Sequence, residues 1–359
     1  MRRSLGLAVA IGLAIASTAS ADDEFAGSSV VFARGDSLYR VDPRGKLETE
    51  IATLSAKATV RALRTDAAGR VLLVDLDGKW AWMPLDASTK QLTDLPCGDG
   101  PAELAEDGTC VLCRAGDKTS MIVNLASGKT FTLPVPAPGA RITGAAGERR
   151  LVWADKDGVW IAPPGDLSKR IKVAPEAPLR GFTPSPDGAR ALGVYADNVF
   201  TDTHHTKPAD VLMSFQLDGQ GARRKSVQTG VPVQWSHDSQ WVMLQDHASA
   251  CDVHATGGEY KCWKGYTAVS IAADGKWALV LGNRDGSKRQ TPSKPATPTK
   301  APTNPDEDSG GDDAVADVAV ALPTGPLSLY RTKLEGAFTD APVLIVKVVD
   351  GAAVWVPAP

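Results

Sequence analysis

All five histidines of the chain, His204, His205, His237, His247 and His254, fall in about one seventh of its 359 residues, interleaved with Asp197, Asp202, Asp210, Asp246 and Asp252. Imidazole is the commonest metal ligand, so the chemistry this clustering suggests is metal binding, with His204, His205, His247 and Asp202 as the candidate ligand set. The spacing says less than the composition. His204 and His205 are adjacent and project in different directions, and no H-E-x-x-H pair sets two imidazoles on one helix face. A solvated loop is the preferred reading, and no cofactor is expected.

Two further constellations invite chemistry. Cys110 and Cys113 form a C-x-x-C, "CVLC", which elsewhere would suggest redox work or zinc. Here the run reads as a β-strand, where residues three apart point to opposite faces and cannot pair, and no second C-x-x-C completes a zinc site. The stretch "ASACDVHATGGEYKCWKGY" (248–266) gathers Tyr260, Trp263, Lys264 and Tyr266 into a candidate contact patch. The competing reading packs Trp263 and Tyr266 between structural units, and it is preferred.

Catalytic signatures are missing from the sequence. There is no G-x-S-x-G, P-loop, dinucleotide fingerprint or EF-hand loop. The carboxylates of "DAAG", "AEDG" and "SPDG" read as turn residues rather than acid/base pairs. An enzyme site assembled from loops of several repeats would leave no local motif, so catalysis stays an alternative.

The elements that position these residues repeat. Aligned on a turn, seven segments appear: "FAGSSVVFAR" (25–34), "DAAGRVLLVD" (66–75), "AEDGTCVLCR" (105–114), "GAAGERRLVW" (144–153), "SPDGARALGV" (185–194), "SHDSQWVMLQ" (236–245) and "AADGKWALVL" (272–281). The turn positions Gly27, Gly69, Gly108, Gly147, Gly188, Ser239 and Gly275 are 42, 39, 39, 41, 51 and 36 residues apart, the period of a four-stranded propeller blade. Glycine takes positive φ at such a turn without steric cost. The apolar run after it is a strand covered on both faces.

The spacing therefore predicts an all-β propeller of seven four-stranded antiparallel blades, six being the alternative if one unit is degenerate. "AAVWVPAP" (352–359) supplies the inner strand that the first blade lacks and removes an exposed edge. "SLYR" recurs at 37–40 and 328–331, in equivalent third-strand positions. On this frame Cys251 and Cys262 face each other on the third and fourth strands of the sixth blade. Cys97 precedes the inner strand of the third blade, and Cys113 returns toward the same end, so these two pair and Cys110 remains a buried thiol.

The first 21 residues have Arg2 and Arg3, an apolar stretch from Leu5 to Ala16, and Ala19-Ser20-Ala21, the pattern of a cleaved secretory leader. Residues 22–359 then form one domain, with a Pro/Thr/Asp-rich insertion at 288–324 that lacks the apolar surface to order itself. Losing both leader arginines leaves 37 basic against 42 acidic residues. That balance argues against nucleic acid, and no apolar run of 18 residues argues for membrane insertion.

The "SPDG" turn, its variants and the exported context resemble the TolB-type periplasmic β-propellers and their WD-like repeat relatives, without the N-terminal α/β domain of TolB. The resemblance implies a non-catalytic module that binds a periplasmic or envelope protein. Alternatives are a metal-dependent or loop-built enzyme and a small-ligand or glycan binder. The 288–324 insertion and a long loop at 196–210 should project from one end of the ring, because both join second to third strands.

Overall fold

In six of the seven repeats the described residues begin with a turn completed by a residue at positive φ. In the computed structural model Gly27, Gly69, Gly108, Gly188 and Gly275 adopt φ of 74, 66, 67, 70 and 67°, and Ser239 adopts 60°. The structure describes residues 25–55, 58–86, 90–115, 119–134, 140–144, 148–174, 178, 180–200, 206–218, 223–225, 230–246, 249–254, 260–283, 327–334 and 341–357. Gly147, the remaining turn position of the alignment, lies outside them.

The strands group into seven four-stranded antiparallel sheets. Blade 1 contains β1 (Ser29–Arg34), β2 (Ser37–Val41) and β3 (Thr49–Thr53), and blade 2 contains β4 (Val60–Thr65), β5 (Val71–Leu76), β6 (Lys79–Pro84) and β7 (Thr93–Asp94). Blade 3 runs through β8 (Ala102–Leu104), β9 (Cys110–Arg114), β10 (Ser120–Asn124) and β11 (Thr130–Leu133). Blade 4 has β12 (Arg141–Thr143), β13 (Arg150–Asp155), β14 (Gly158–Ala162) and β15 (Ile171–Ala174). In blade 5, β16 (Arg180–Pro184), β17 (Arg190–Phe200), β18 (Thr206–Gln216) and β19 (Arg223–Lys225) follow, then β20 (Val231–Trp235), β21 (Trp241–Asp246), β22 (Ser249–His254) and β23 (Tyr260–Lys264) in blade 6. Blade 7 is β24 (Thr267–Ile271), β25 (Trp277–Asn283), β26 (Leu327–Lys333) and β27 (Val343–Val349).

The last strand, β28 (Ala353–Val356), closes the ring. It pairs with β1, Val30 opposite Trp355 and Val31 opposite Val354, as the inner strand of blade 1. Seven blades, not six, are therefore present. Both "SLYR" copies occupy third strands, β2 and β26.

The core lies between the blades rather than within one layer. Seven apolar clusters occupy the seven interfaces, and consecutive residues of a second strand serve different ones. Val30 and Phe32 pack toward blade 7 while Val31 and Ala33 pack toward blade 2, all at most 1 % exposed. Each strand is thus uninterrupted in its hydrophobicity because both faces are buried. Burying a Val or Phe side chain of this kind contributes about 1.5–3 kcal/mol.

Connections alternate between two ends of the ring. First-to-second and third-to-fourth strand connections lie at one end, here the turn end. Second-to-third hairpins and the crossings into the next blade lie at the other, the crossover end.

Candidate functional site

At the turn end the recurring motif organises its own backbone. In blade 5, Ser185 Oγ is 2.5 Å from Asp187 Oδ1 and accepts the Arg190 N–H at 3.0 Å, while the Ala189 N–H donates to the same carboxylate oxygen at 2.9 Å. Blade 6 repeats this with Ser236, Asp238, Gln240 and Trp241. These aspartates are turn residues, as read from the sequence.

The turns also bond to one another around the ring. The Ala67 N–H donates to the Glu106 carbonyl (2.9 Å) and the Gly144 N–H to that of Pro186 (2.9 Å). A Cβ on Gly108 would stand 2.8 Å from the Asp66 carboxylate of blade 2, so close approach as well as φ demands glycine there. Ser239 breaks the glycine rule, and its hydroxyl accepts the Asp187 N–H at 3.0 Å.

Longer side chains complete this end. Arg149 of blade 4 binds the Asp107 carboxylate and Thr109 hydroxyl of blade 3. Burial alone would raise the Asp107 carboxyl, but the Arg149 and Thr109 hydrogen bonds outweigh it and hold the group below its ordinary range. Across the ring, His237 Nδ1 of blade 6 meets Glu106 Oε2 of blade 3, with side chains 12 % and 29 % exposed. These blades are three places apart in a ring of seven, so the contact spans the axis. A polar cleft of about 350 Å³ opens at this end between blades 4 and 5, lined by Glu148, Arg150, Asp187, Arg190, Gln216 and Asp218.

The crossover end is built differently. β17 and β18 pair over eleven positions, from Arg190 with Gln216 to Phe200 with Thr206. The second and third strands of the other blades are five to seven residues long, so among the described residues this hairpin is the longest. Residues 284–326, between β25 and β26, leave and re-enter at the same end. The crossing into blade 3 is fastened by the Cys97–Cys113 disulfide, by the Gly98 N–H to the Arg114 carbonyl (2.8 Å), and by Trp80 Nε1 to the Gly100 carbonyl (2.7 Å).

The structure assigns most of the residues singled out by sequence. Cys97 pairs with Cys113 and Cys251 with Cys262, the latter two directly opposite on β22 and β23, and Cys110 is a buried free thiol. Trp263 is buried between blades 6 and 7, with Lys261 Nζ 5.3 Å from its ring centroid. Tyr266 is half-buried edge-on to Tyr330, ring centroids 5.3 Å apart, and burial followed by the Tyr330 hydroxyl raises its pKa. Lys264 is exposed, and Tyr260 opens β23.

Asp202, His204, His205 and His247 lie outside the described residues. Among the described residues no group of three or more His, Cys, Asp or Glu is arranged to hold a metal ion. The long loop expected at 196–210 is corrected to a continuation of the blade, because Ala196–Phe200 pairs with Thr206–Asp210 in unbroken register. Its Val-Phe and Thr-Lys-Pro content hid this hairpin among polar residues.

Two features escaped the sequence reading. Glu106 and His237 are 131 residues apart, and no local pattern links them. A second motif was legible and passed over: D-x-D-G-x-W at 75–80 and again at 155–160, each forming a second-to-third turn with an indole N–H anchored nearby.

Fold and site together define the class: a seven-bladed β-propeller with interlocked turns at one end and an extended hairpin at the other. No protein-family model matches the chain, and no curated protein matches it. Among solved structures it is similar to a chain in a crystal structure of a nidogen/laminin complex. Identity is 11 %, the TM-score 0.45, and the match spans 65 % of this chain and 93 % of that one. The propeller implied by the TolB-type resemblance is present, while membership of that family is not shown.

Proposed function

We propose that the protein is a non-catalytic recognition module, exported to the cell envelope, that engages a protein partner through its crossover end. The observation that carries the reading is the difference between the two ends. At the turn end, turn-to-turn hydrogen bonds and the His237–Glu106 contact across the axis hold the ring together. The crossover end holds the eleven-residue hairpin of blade 5 and both ends of the 284–326 segment, on a crossing fixed by a disulfide. Elaborations on a rigid frame are where recognition is usually placed.

Export is supported by the leader pattern of residues 1–21 and by two disulfides, which persist in oxidising compartments. No helix among the described residues is long and apolar enough to cross a membrane. The partner class is a periplasmic or outer-membrane protein.

Residues 22–359 serve as cross-linked bait against envelope extract, beside one form lacking 288–324 and another with the hairpin cut back to Ala196 and Asp210. A partner bound by the intact bait, lost with either deletion and rebound after purification, is the expected result. Equal capture by all three baits removes the crossover end from the account.

A further inference from the structure

The outer part of the ring presents a seam between blades 3 and 4, with an exposed aromatic side chain, that the crossover-end reading leaves unused. On blade 3, Phe131 of β11 pairs with Ile122 of β10, and Ile122 with Leu112 of β9, so all three point toward blade 4. Leu112 lies in the shared core, Ile122 is half-buried at its margin, and Phe131 is 56 % exposed. On blade 4, Trp153 pairs with Trp160 and Trp160 with Lys172, which turns this row toward blade 3.

The Trp160 indole is half-buried, and its N–H donates to Asp155 at 3.0 Å. Two cations attend the ring, the Arg170 guanidinium carbon at 4.9 Å and Lys172 Nζ at 4.8 Å from its centroid. One side of the seam therefore ends in an exposed phenyl and the other in an indole flanked by two positive charges, and Ile122 and Leu167 pack against the core beneath.

We propose that this seam is a second recognition surface, which takes an extended segment of a partner protein bearing an apolar side chain flanked by carboxylates. The apolar side chain fits between Phe131 and Trp160, where burial of further aromatic surface is favourable. Charge selects the flanking groups. Of the nearby carboxylates, Asp155 holds the indole N–H and Asp166 pairs with Lys169 at 3.2 Å. Among the described residues Arg170 and Lys172 form no ion pair, and Lys172 donates only to the Asp157 carbonyl at 2.8 Å. Arg170 and Lys172 are both exposed, so they meet an acidic segment without prior desolvation. β11 is the outer strand of its sheet, so its free edge can also pair with an extended chain.

The test titrates residues 22–359 into a fluorescein-labelled hexapeptide, Asp-Glu-Phe-Asp-Leu-Glu, by anisotropy. Controls are the same peptide with Asn and Gln for its carboxylates, and one with Lys in their place. Saturable binding of the acidic peptide alone is expected. It should weaken by at least about fivefold in an Arg170→Glu/Lys172→Glu double variant and with added salt, as exposed ion pairs do. Phe131→Ser should also weaken it, while the residual binding keeps its salt dependence because Arg170 and Lys172 remain. All three positions are exposed, and unchanged melting temperatures confirm folding. Absence of saturable binding, equal binding by every variant, or preference for the lysine peptide overturns the proposal. A chain with the blade 5 hairpin cut back keeps peptide binding if the seam acts alone, which separates this result from that of the crossover end.

Discussion

Single residues at the turn end carry more of the ring than their size suggests. Ser239 holds φ of 60° and accepts the Asp187 N–H of the preceding blade. Ser239→Ala keeps the unfavourable backbone and loses the hydrogen bond, and should cost about 1 kcal/mol. Ser239→Gly loses the same bond but relieves a strain of about 1 kcal/mol, so its stability in urea should stay close to that of the parent. A larger loss for glycine than for alanine would contradict this account. Asp107 adds a pH dependence. Its folded pKa is depressed, so its contribution is complete above the ordinary carboxylate value of about 4 and disappears as pH falls through the lower folded value. The stability gap between parent and Asp107→Asn should therefore be constant near neutrality and close in acid. Cys110, buried with its thiol pKa raised first of all by that burial, should react with a thiol reagent only after unfolding, one group per chain.

At the scale of elements, what could be read in advance follows physical locality. Turns were legible because positive φ restricts the residue to glycine or a small polar substitute, and that restriction recurs at the six turn positions among the described residues. Strand order and both disulfides followed from counting strands between turns, since alternation fixes the end to which each cysteine returns. The blade 5 extension was not legible, because a hairpin that leaves the ring has no neighbouring blade to impose an apolar pattern. Contacts such as His237 with Glu106 join distant turns through the curvature of the ring, which no local run of sequence encodes. The Cys97–Cys113 bridge encloses a separation of 16 residues, and replacing both with serine should cost about 3 kcal/mol. Because it fastens the crossing into blade 3, hydrogen exchange should rise first at residues 98–104. Uniform exchange across all blades would show that the bridge acts only on the unfolded chain.

For the whole molecule, closure makes the blades one cooperative body with two unlike ends. Each interface holds its own apolar cluster, and β28 joins the last segment of the chain to the first blade. A ring of this kind is rigid, so recognition depends on what projects from it rather than on its own movement. The turn end ties its turns to their neighbours by hydrogen bonds, while the crossover end carries the long hairpin. The most direct test of that division places a photo-cross-linking benzoylphenylalanine at Asn198 in the hairpin and, in a second protein, at Lys276, exposed at the turn end. With envelope extract, the account predicts one discrete adduct from position 198 and none from position 276. An adduct from position 276 alone would move the working face to the opposite end and contradict it.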